Sequence, residues 1–199
     1  MAEFRPWPKI ARLNRDIIIT EKIDGTNAAV GVTDEGEVYA QSRTRIITPE
    51  ADNFGFAAWV QLHESELRDT LGPGLHFGEW WGGKIQRGYG LKDKRFSLFN
   101  TSRWADTDTL RAWAAWDPEW MQDIQILPDL TFPSLRVVPV MYHGPFAQLH
   151  IDTCLEILRE HGSMAADGFK EAEGIVVWHT AARTSFKVTL EGDEKPKGA

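Results

Sequence analysis

EKIDGTN, residues 21–27, is the stretch that decides how this chain folds. An isoleucine-rich run from Asp16 to Thr20 leads into it, and such β-branched residues favour a strand. Asp24-Gly25 is a turn pair, and the run from Asn27 to Val32 predicts the next strand. The sequence therefore places Lys22 between two strands, at a fixed position beside a strand end.

A lysine at such a position has two interpretations. A solution lysine titrates near ~10.4, so it attacks a nucleotide phosphate only where desolvation or neighbouring cations favour the neutral amine. The other interpretation is an ordinary turn, because turns favour Asp-Gly for conformational reasons and a lysine before a turn is usually solvated. The stretch alone leaves both open, and the rest of the chain has to decide.

The composition predicts a soluble protein with a substantial core. The chain has 199 residues, 42% of them hydrophobic, which suffices for one large domain or two small ones. Cys154 is the single cysteine, no apolar run approaches the ~20 residues that span a bilayer, and Met1 to Lys9 lacks an apolar signal core. We therefore predict a cytoplasmic protein without a membrane anchor.

The charge pattern argues against a nucleic-acid coating protein, but it also contains one basic segment. A net charge of −7 argues against a general nucleic-acid coating protein, since affinity for phosphate backbones comes largely from clustered cations. Between Gly83 and Arg95, however, five cations stand against a single acid, Asp93. This basic island either follows a nucleic-acid backbone or is a solvated loop. Its cations are Lys84, Arg87, Lys92, Lys94 and Arg95.

Strand-like and helix-like runs do not alternate in the regular way that a parallel sheet requires. The sequence therefore predicts one α+β domain, residues 1–190, with antiparallel strands interrupted by surface helices. Residues 191–199 form a charged tail that we expect to be disordered. Beyond the two strands already given, strands are predicted at 37–40, 75–81, 96–99, 136–141, 174–178 and 184–190, and helices at 49–71, 107–116 and 151–161.

Four short segments follow the lysine in a set order: SRTR at 42–45, FGE at 77–79, EGIVV at 173–177 and SFKV at 185–188. With the K-x-D-G of residues 22–25, this series resembles the motifs of the covalent nucleotidyltransferase superfamily of ATP-dependent RNA and DNA ligases and mRNA capping enzymes. The flanking residues look most like the bacteriophage-type RNA ligases. The resemblance covers residues 21–188, and it favours the nucleophile over the solvated turn.

The resemblance implies an ATP-grasp-like adenylylation domain, with antiparallel sheets flanked by helices. It implies an RNA-repair activity in which Lys22 attacks the α-phosphorus of ATP, keeps AMP as a phosphoramidate, passes it to a 5′-phosphate and seals that end to a 3′-hydroxyl. Glu173 is then the ligand of Mg²⁺ or Mn²⁺. Asp24 would support the metal or orient the lysine, and Lys187 would stabilise charge on the phosphate.

For the nucleoside, the resemblance implies five further contacts. Glu79 accepts a hydrogen bond from a ribose hydroxyl, and Arg43 donates to ribose or to the nucleic-acid phosphate. Phe99 stacks on the purine while Val176 closes the opposite face. Glu21 faces the adenine amino group, where an acceptor would favour adenine over guanine.

The chain also departs from the family pattern. Many relatives carry two lysines two residues apart in the closing strand, but here Ser185 and Thr189 flank Lys187 at that spacing. The chain ends soon after the last motif, so no C-terminal oligonucleotide-binding domain is expected, and a second copy, a partner protein or the basic island would have to hold the RNA. The alternatives are a GTP-dependent capping-type guanylyltransferase, a minimal DNA ligase and a non-catalytic nucleotide or RNA sensor.

Overall fold

The computed structural model describes residues 3–106, 108–109 and 134–192. Two sheets dominate this part of the chain, as the predicted α+β class requires. The strands are β1 Asp16–Lys22, β2 Thr26–Val32, β3 Val38–Ser42, β4 Ile46–Ile47, β5 Gly74–Gly82, β6 Lys94–Leu98, β7 Leu135–Val137, β8 Val140–Pro145, β9 Gly174–His179 and β10 Thr184–Thr189. The helices are α1 Phe56–Leu62, α2 Glu64–Leu71, α3 Thr101–Trp104 and α4 Gln148–His161, with 3₁₀ turns at Pro49–Ala51 and Gly88–Gly90.

The first sheet has the order β10-β9-β1-β8 and is antiparallel throughout. Strand β1 lies inside it, and five of its seven residues are buried because both faces of the sheet are covered. One face of β1 packs on α4, where Ile17 and Ile19 meet Leu155 and Leu158. The other face, with Ile18, belongs to the larger core of the molecule.

The second sheet has the order β4-β3-β2-β5-β6-β7, and α1 and α2 pack against it. Its pairs are antiparallel except β6 with β7, which is parallel and departs from the antiparallel prediction. Strand β7 belongs to the run predicted as one strand at 136–141. That run divides at Val138-Pro139: Val138 donates from its N–H to Leu98, whereas the Pro139 carbonyl accepts from Glu21 in the first sheet. The chain thus crosses between the sheets at a proline, which cannot donate to a ladder.

The predicted helix at 49–71 is wrong in its continuity. Phe54 and Gly55 both have positive φ, 53° and 80°, which no α-helix accommodates, so a 3₁₀ turn and two short helices replace it. Asp52 supports the break because its carboxylate accepts from the N–H groups of Ala57 and Ala58 at the start of α1.

Of the two remaining predicted helices, one lies within the described residues. The helix predicted at 151–161 is confirmed, although it begins one turn earlier, at Gln148. The helix predicted at 107–116 lies outside the described residues, and so do residues 193–199 of the predicted tail. In the described ranges, no helix combines the length and the apolar composition needed to cross a membrane.

Candidate active site

A cavity of about 790 Å³ opens between the two sheets. Side chains alternate along a strand, and Ile18, Thr20 and Lys22 of β1 share the face that lines this cavity; Glu21 adjoins it as well. The register carries the same alternation across the sheet, since Thr20 lies opposite Val176, and Val176 opposite Lys187. The second sheet contributes the opposite wall, which includes Leu75, Phe77 and Glu79 of β5, Asn27 of β2 and Phe99 after β6.

Lys22 ends β1 at the edge of this cavity, and its side chain is 23% exposed. The Nζ atom donates a hydrogen bond to Oε2 of Glu173, whose side chain is 18% exposed. The pair follows from the register, because Lys22 lies opposite Gly174, the residue directly after Glu173. The structure therefore brings the predicted nucleophile and the predicted metal ligand into one ion pair.

Glu79 is a carboxylate that lines the cavity, and the lysine loop holds it. Its oxygens accept from the N–H of Gly25 at 3.0 Å and from Nδ2 of Asn27 at 2.8 Å. Burial raises the pKa of Glu79 to about 7, against these two hydrogen bonds and the charge of Lys22, while the charge of Glu173 raises it further. Glu79 is therefore an acid whose pKa burial raises towards neutrality, and its side chain lines the cavity.

Gly25 makes this arrangement possible by its lack of a side chain. A Cβ atom there would lie 2.4 Å from the Trp80 carbonyl oxygen and 2.7 Å from the Cβ of Trp81. The loop can therefore approach β5 closely enough for Glu79 to reach it only with glycine at this position. The Asp-Gly pair that predicted a turn is thus required by packing as well as by turn geometry.

The structure corrects the role predicted for Glu21. Its carboxylate lies on the face of β1 opposite Lys22, is 1% exposed, and accepts from Ser163 Oγ at 2.6 Å and from the N–H groups of Met164 and Ala165 at 2.7 and 2.9 Å. Strand alternation explains the error, since residues 21 and 22 must point to opposite faces. The Glu21 carboxylate therefore holds the loop after α4 and does not face a base in the cavity.

Asp24 also has hydrogen-bond partners other than those predicted. Its carboxylate accepts from Nε of Arg87 at 3.0 Å, and its N–H donates to the hydroxyl of Tyr89 at 2.8 Å. In this structure Asp24 neither contacts the Lys22 amine nor joins Glu173. Both of its partners belong to the segment of the basic island.

The basic island is accordingly less available to a nucleic acid than the sequence suggests. Arg87 is bound to Asp24, Lys94 donates to the carbonyl of Phe54 at 2.6 Å, and Arg95 pairs with Asp93 at 3.0 Å. Arg95 also lies over the Trp81 ring, 5.7 Å from its centroid. The two remaining cations, Lys84 and Lys92, are exposed on the surface.

The other predicted site residues divide into two groups. Phe99, Val176 and Lys187 all line the cavity, with Phe99 42% exposed and so accessible to a flat ligand. Arg43 does not line it and lies in the exposed turn between β3 and β4. The structure thus separates Arg43 from the residues that were predicted to share a ribose contact with it.

Sequence reasoning missed several cavity residues, and for Asn27 and Trp178 the sequence held a signal that could have found them. Asn27 belongs to the opening stretch, residues 21–27. It lies opposite Glu79 when β2 and β5 are paired in register, so the alternation of side chains along β2 could have placed it beside Glu79. Trp178 lies two residues after Val176 on β9 and lines the cavity with it. A period-two count along each motif strand would have found both.

Comparisons with known proteins concern the family and the fold. The RNA ligase family model matches residues 15–189. No curated protein sequence matches the chain significantly. Among solved structures, a Naegleria gruberi RNA ligase variant with ATP and Mn is 18% identical with a TM-score of 0.57, and covers 88% of this chain and 49% of its own. An archaeal ATP-dependent RNA ligase is 20% identical with a TM-score of 0.55, and covers 94% of this chain and 48% of its own. At these identities the likeness shows a shared fold, and this chain spans about half the length of those proteins.

Proposed function

The chain belongs to the RNA ligase family, and from that premise we propose that it is an ATP-dependent RNA ligase that forms a covalent AMP adduct on Lys22. AMP then passes to an RNA 5′-phosphate, and a 3′-hydroxyl displaces it to seal the strand. The observation that carries this proposal is the ion pair of Glu173 with Lys22, which lines the cavity together with Glu79 and Lys187.

The residues present fit a nucleotide with a divalent cation. No group of three or more acidic, histidine or cysteine side chains suited to a metal occurs in the described part of the chain. Mg²⁺ and Mn²⁺ do not need one, because such ions are commonly held by one or two carboxylates together with substrate phosphates and water. Glu173 would supply the carboxylate. A cation bound there would neutralise the α-phosphate and take Glu173 away from the lysine.

The chain's own residues then have distinct tasks. Lys22 must leave Glu173 and lose a proton before its Nζ lone pair can form the bond to the α-phosphorus, and the bond to the leaving pyrophosphate breaks in line with it. Lys187 would compensate the charge that develops on the phosphate. Glu79, held by Gly25 and Asn27, would accept from the ribose, and Phe99 and Val176 would enclose the base.

Nucleotide choice is a separate part of the proposal. The Glu21 carboxylate is bound by the loop after α4, so it supplies no argument for adenine over guanine. The preference for ATP rests on the family and on the ATP that accompanies the Naegleria gruberi structure. Forming the adduct with GTP in place of ATP would instead support a capping-type guanylyltransferase.

The decisive experiment is intact-mass spectrometry after incubation with ATP and Mg²⁺ or Mn²⁺ in the absence of RNA. We expect a mass gain of one AMP that maps to Lys22 and is lost in Lys22→Ala. Lys170→Ala is the matched control, because it removes an exposed lysine that bonds only to the His161 carbonyl. If ATP raises the melting temperature and no adduct forms at any pH or with either metal, the protein is a nucleotide sensor and the proposal fails.

The polynucleotide is tested in a second assay. Nicked duplexes with either RNA or DNA at the 3′ end separate an RNA ligase from a minimal DNA ligase, since the 2′-hydroxyl distinguishes them. We propose that sealing takes place in the cytoplasm and that a second copy or a partner protein helps to hold the RNA. Light scattering of the adenylylated protein, alone and with RNA, tests the second copy.

A further inference from the structure

The segment after β5 holds the lysine loop and the Glu173 loop together through Arg87. Its guanidinium donates from Nε to the Asp24 carboxylate at 3.0 Å and from an Nη atom to the Glu171 carbonyl at 3.0 Å. Asp24 lies two residues after Lys22, and Glu171 lies two residues before Glu173. One planar side chain thus bridges the two loops that carry the ion pair of the site.

Tyr89 supports the same loop from inside the protein. It is 2% exposed, and its ring packs against Trp81 and Phe169 with centroids 4.9 and 4.5 Å away. Its φ of 53° is unusual for a residue other than glycine, and it allows the hydroxyl to accept from the Asp24 N–H at 2.8 Å. The backbone and the carboxylate of Asp24 are therefore both held by the same segment.

We propose that Arg87 and Tyr89 are positioning residues that set the distance between Lys22 and Glu173. This inference rests on the proposed function and gives Arg87 a role other than contact with RNA. The planar guanidinium suits this bridge because its Nε and Nη donors are fixed in different directions, whereas a lysine ammonium is a compact point charge on a flexible stem. A small displacement of a nucleophile can lower a rate by about 100-fold.

The test measures adduct formation without RNA in Arg87→Ala and Arg87→Lys, with Arg159→Ala as a control that removes an exposed arginine from α4. We expect both Arg87 variants to lose about 10- to 100-fold in rate, with the KM for ATP changed by less than about threefold, and the control to match wild type. Rescue by lysine would show that charge alone matters and would overturn the proposal. A raised KM with an intact rate would assign Arg87 to ATP, and a defect confined to RNA sealing would assign it to RNA, so either would also overturn it.

Tyr89→Phe provides a second variant in case the Arg87 variants fail to fold. It keeps the buried ring and removes only the acceptor for the Asp24 N–H. We expect a slower adduct formation at unchanged nucleotide KM, and a rate equal to wild type would count against the positioning role. A wild-type protein that forms no adduct would refute the proposed function itself, which keeps the two failures distinct.

A second, independent feature is the arm that precedes β1. Every residue from 3 to 15 is exposed, with Phe4 90%, Trp7 89% and Ile10 89% exposed. The arm joins the body at its end, where the Leu13 carbonyl contacts a ring nitrogen of His179 at 2.8 Å. Four cations, Arg5, Lys9, Arg12 and Arg15, stand in it against one acid, Glu3, in a chain whose net charge is −7.

The arm thus alternates cations with exposed aromatic and aliphatic side chains, and it concentrates positive charge in an acidic protein. Cations bind phosphates with release of counterions, and an exposed aromatic ring offers a stacking surface for an unpaired base. We infer that this arm binds single-stranded RNA next to the end that is to be sealed, which again rests on the proposed function. A protein partner would need the apolar residues but not the cations.

Fluorescence polarisation with a labelled single-stranded RNA tests the arm. We expect Lys9→Gln/Arg12→Gln to weaken binding and to lower the slope of log affinity against log salt by about 1.4, at about 0.7 per phosphate contact. Trp7→Ala should weaken binding by about tenfold with the slope unchanged. Arg159→Gln/Lys170→Gln removes the same charge elsewhere and should bind as wild type. Equal weakening by both double variants would show a net-charge effect, and a change in oligomer mass at unchanged RNA affinity would show a protein contact; either overturns the inference.

Discussion

The carboxyl group of Glu21 is a buried acid that folding keeps away from water. Burial raises its pKa from 4.5 to about 7, although hydrogen bonds from Ser163, Ala165 and Met164 oppose the shift. A carboxyl group whose pKa is higher in the folded than in the unfolded state binds its proton more tightly when folded. Its contribution to stability is therefore complete below pH 4.5 and is lost as the pH rises to about 7.

Glu21→Gln tests whether ionisation of Glu21 at higher pH lowers the stability of the fold. Glutamine can accept from the two N–H groups and donate to Ser163, so we expect the variant to match wild type at pH 5. At pH 8 it should be more stable than wild type by up to about 3 kcal/mol, because wild type must ionise a buried acid. Urea denaturation at both pH values measures the difference. An unchanged pH dependence in the variant would contradict the assignment.

Asn27 influences the pKa of Glu79, which is also a buried acid. The hydrogen bond from Nδ2 of Asn27 stabilises the ionised carboxylate and lowers its pKa, against the larger effect of burial. Asn27→Leu should therefore raise the pKa of Glu79 above about 7. If ionised Glu79 is the ribose acceptor, the acid limb of the pH profile for adduct formation should move to higher pH.

The control for this prediction is Asn53→Leu. Asn53 lies near the same loop but donates to Thr26 and not to Glu79, so its pH profile should stay in place. A lower rate with an unmoved acid limb in Asn27→Leu would show that Asn27 acts on the nucleotide directly.

Among the elements, the start of β9 determines how the closing strand meets the lysine strand. Gly174 lies opposite both Lys22 and Thr189, and a Cβ atom there would lie 2.2 Å from the Val188 carbonyl oxygen. Its φ of +151° is also one that other residues rarely adopt. Gly174→Ala must therefore displace β10, which carries Lys187, or β9, which Glu173 precedes.

We expect Gly174→Ala to destabilise the protein by several kcal/mol and to abolish adduct formation. Gly168→Ala is the matched control: its φ is +73°, but no atom lies within 4 Å of the added Cβ. That variant should lose only about 1 kcal/mol, the cost of the backbone angle, and keep its activity. Equal losses in both variants, measured by urea denaturation, would show that the close contact with β10 has no effect of its own.

The elements also show what the sequence could and could not predict. Strand composition and turn residues located β1, β2 and β9, because local preferences agree with the fold there. The break at Phe54-Gly55 was missed because the helical spacing rests on apolar residues from Phe56 onward, and the polar residues before Phe54 carry no periodic signal that would end the helix there. The parallel pair β6–β7 was missed because strand pairing depends on contacts distant in sequence, and no local pattern encodes it.

The site could be predicted only where the order of the motifs along the chain indicates which residues meet. Lys22, Glu79, Phe99, Val176 and Lys187 meet in the cavity as the motif resemblance implied. Glu21 was misassigned, and the contacts of Arg87 were not predicted, because a residue's position in the sequence does not say which face of a strand it occupies or which loop it reaches. Strand alternation could have corrected the first, but the contact from Arg87 to Asp24 spans 63 positions and needs the folded structure.

At the scale of the whole molecule, the cavity has one wall from each sheet, so a nucleotide bound in it would contact both. An ATP analogue with a methylene bridge between its α- and β-phosphates has no pyrophosphate to release and isolates binding from reaction. At 100 times its Kd, such a ligand adds about 2.7 kcal/mol to the free energy of unfolding. For a chain of this size we expect the melting temperature to rise by about 5–10 °C.

Hydrogen exchange shows whether that stabilisation joins the two sheets. We expect slower amide exchange in β9 and β10 of the first sheet and, at the same ligand concentration, in β2 and β5 of the second, because both walls close on one ligand. The Lys187→Ala variant should lose part of the protection, since the phosphates lose a cation. Protection confined to one sheet would mean that the nucleotide lies on a surface, and the enclosed site between Val176 and Phe99 would then be wrong.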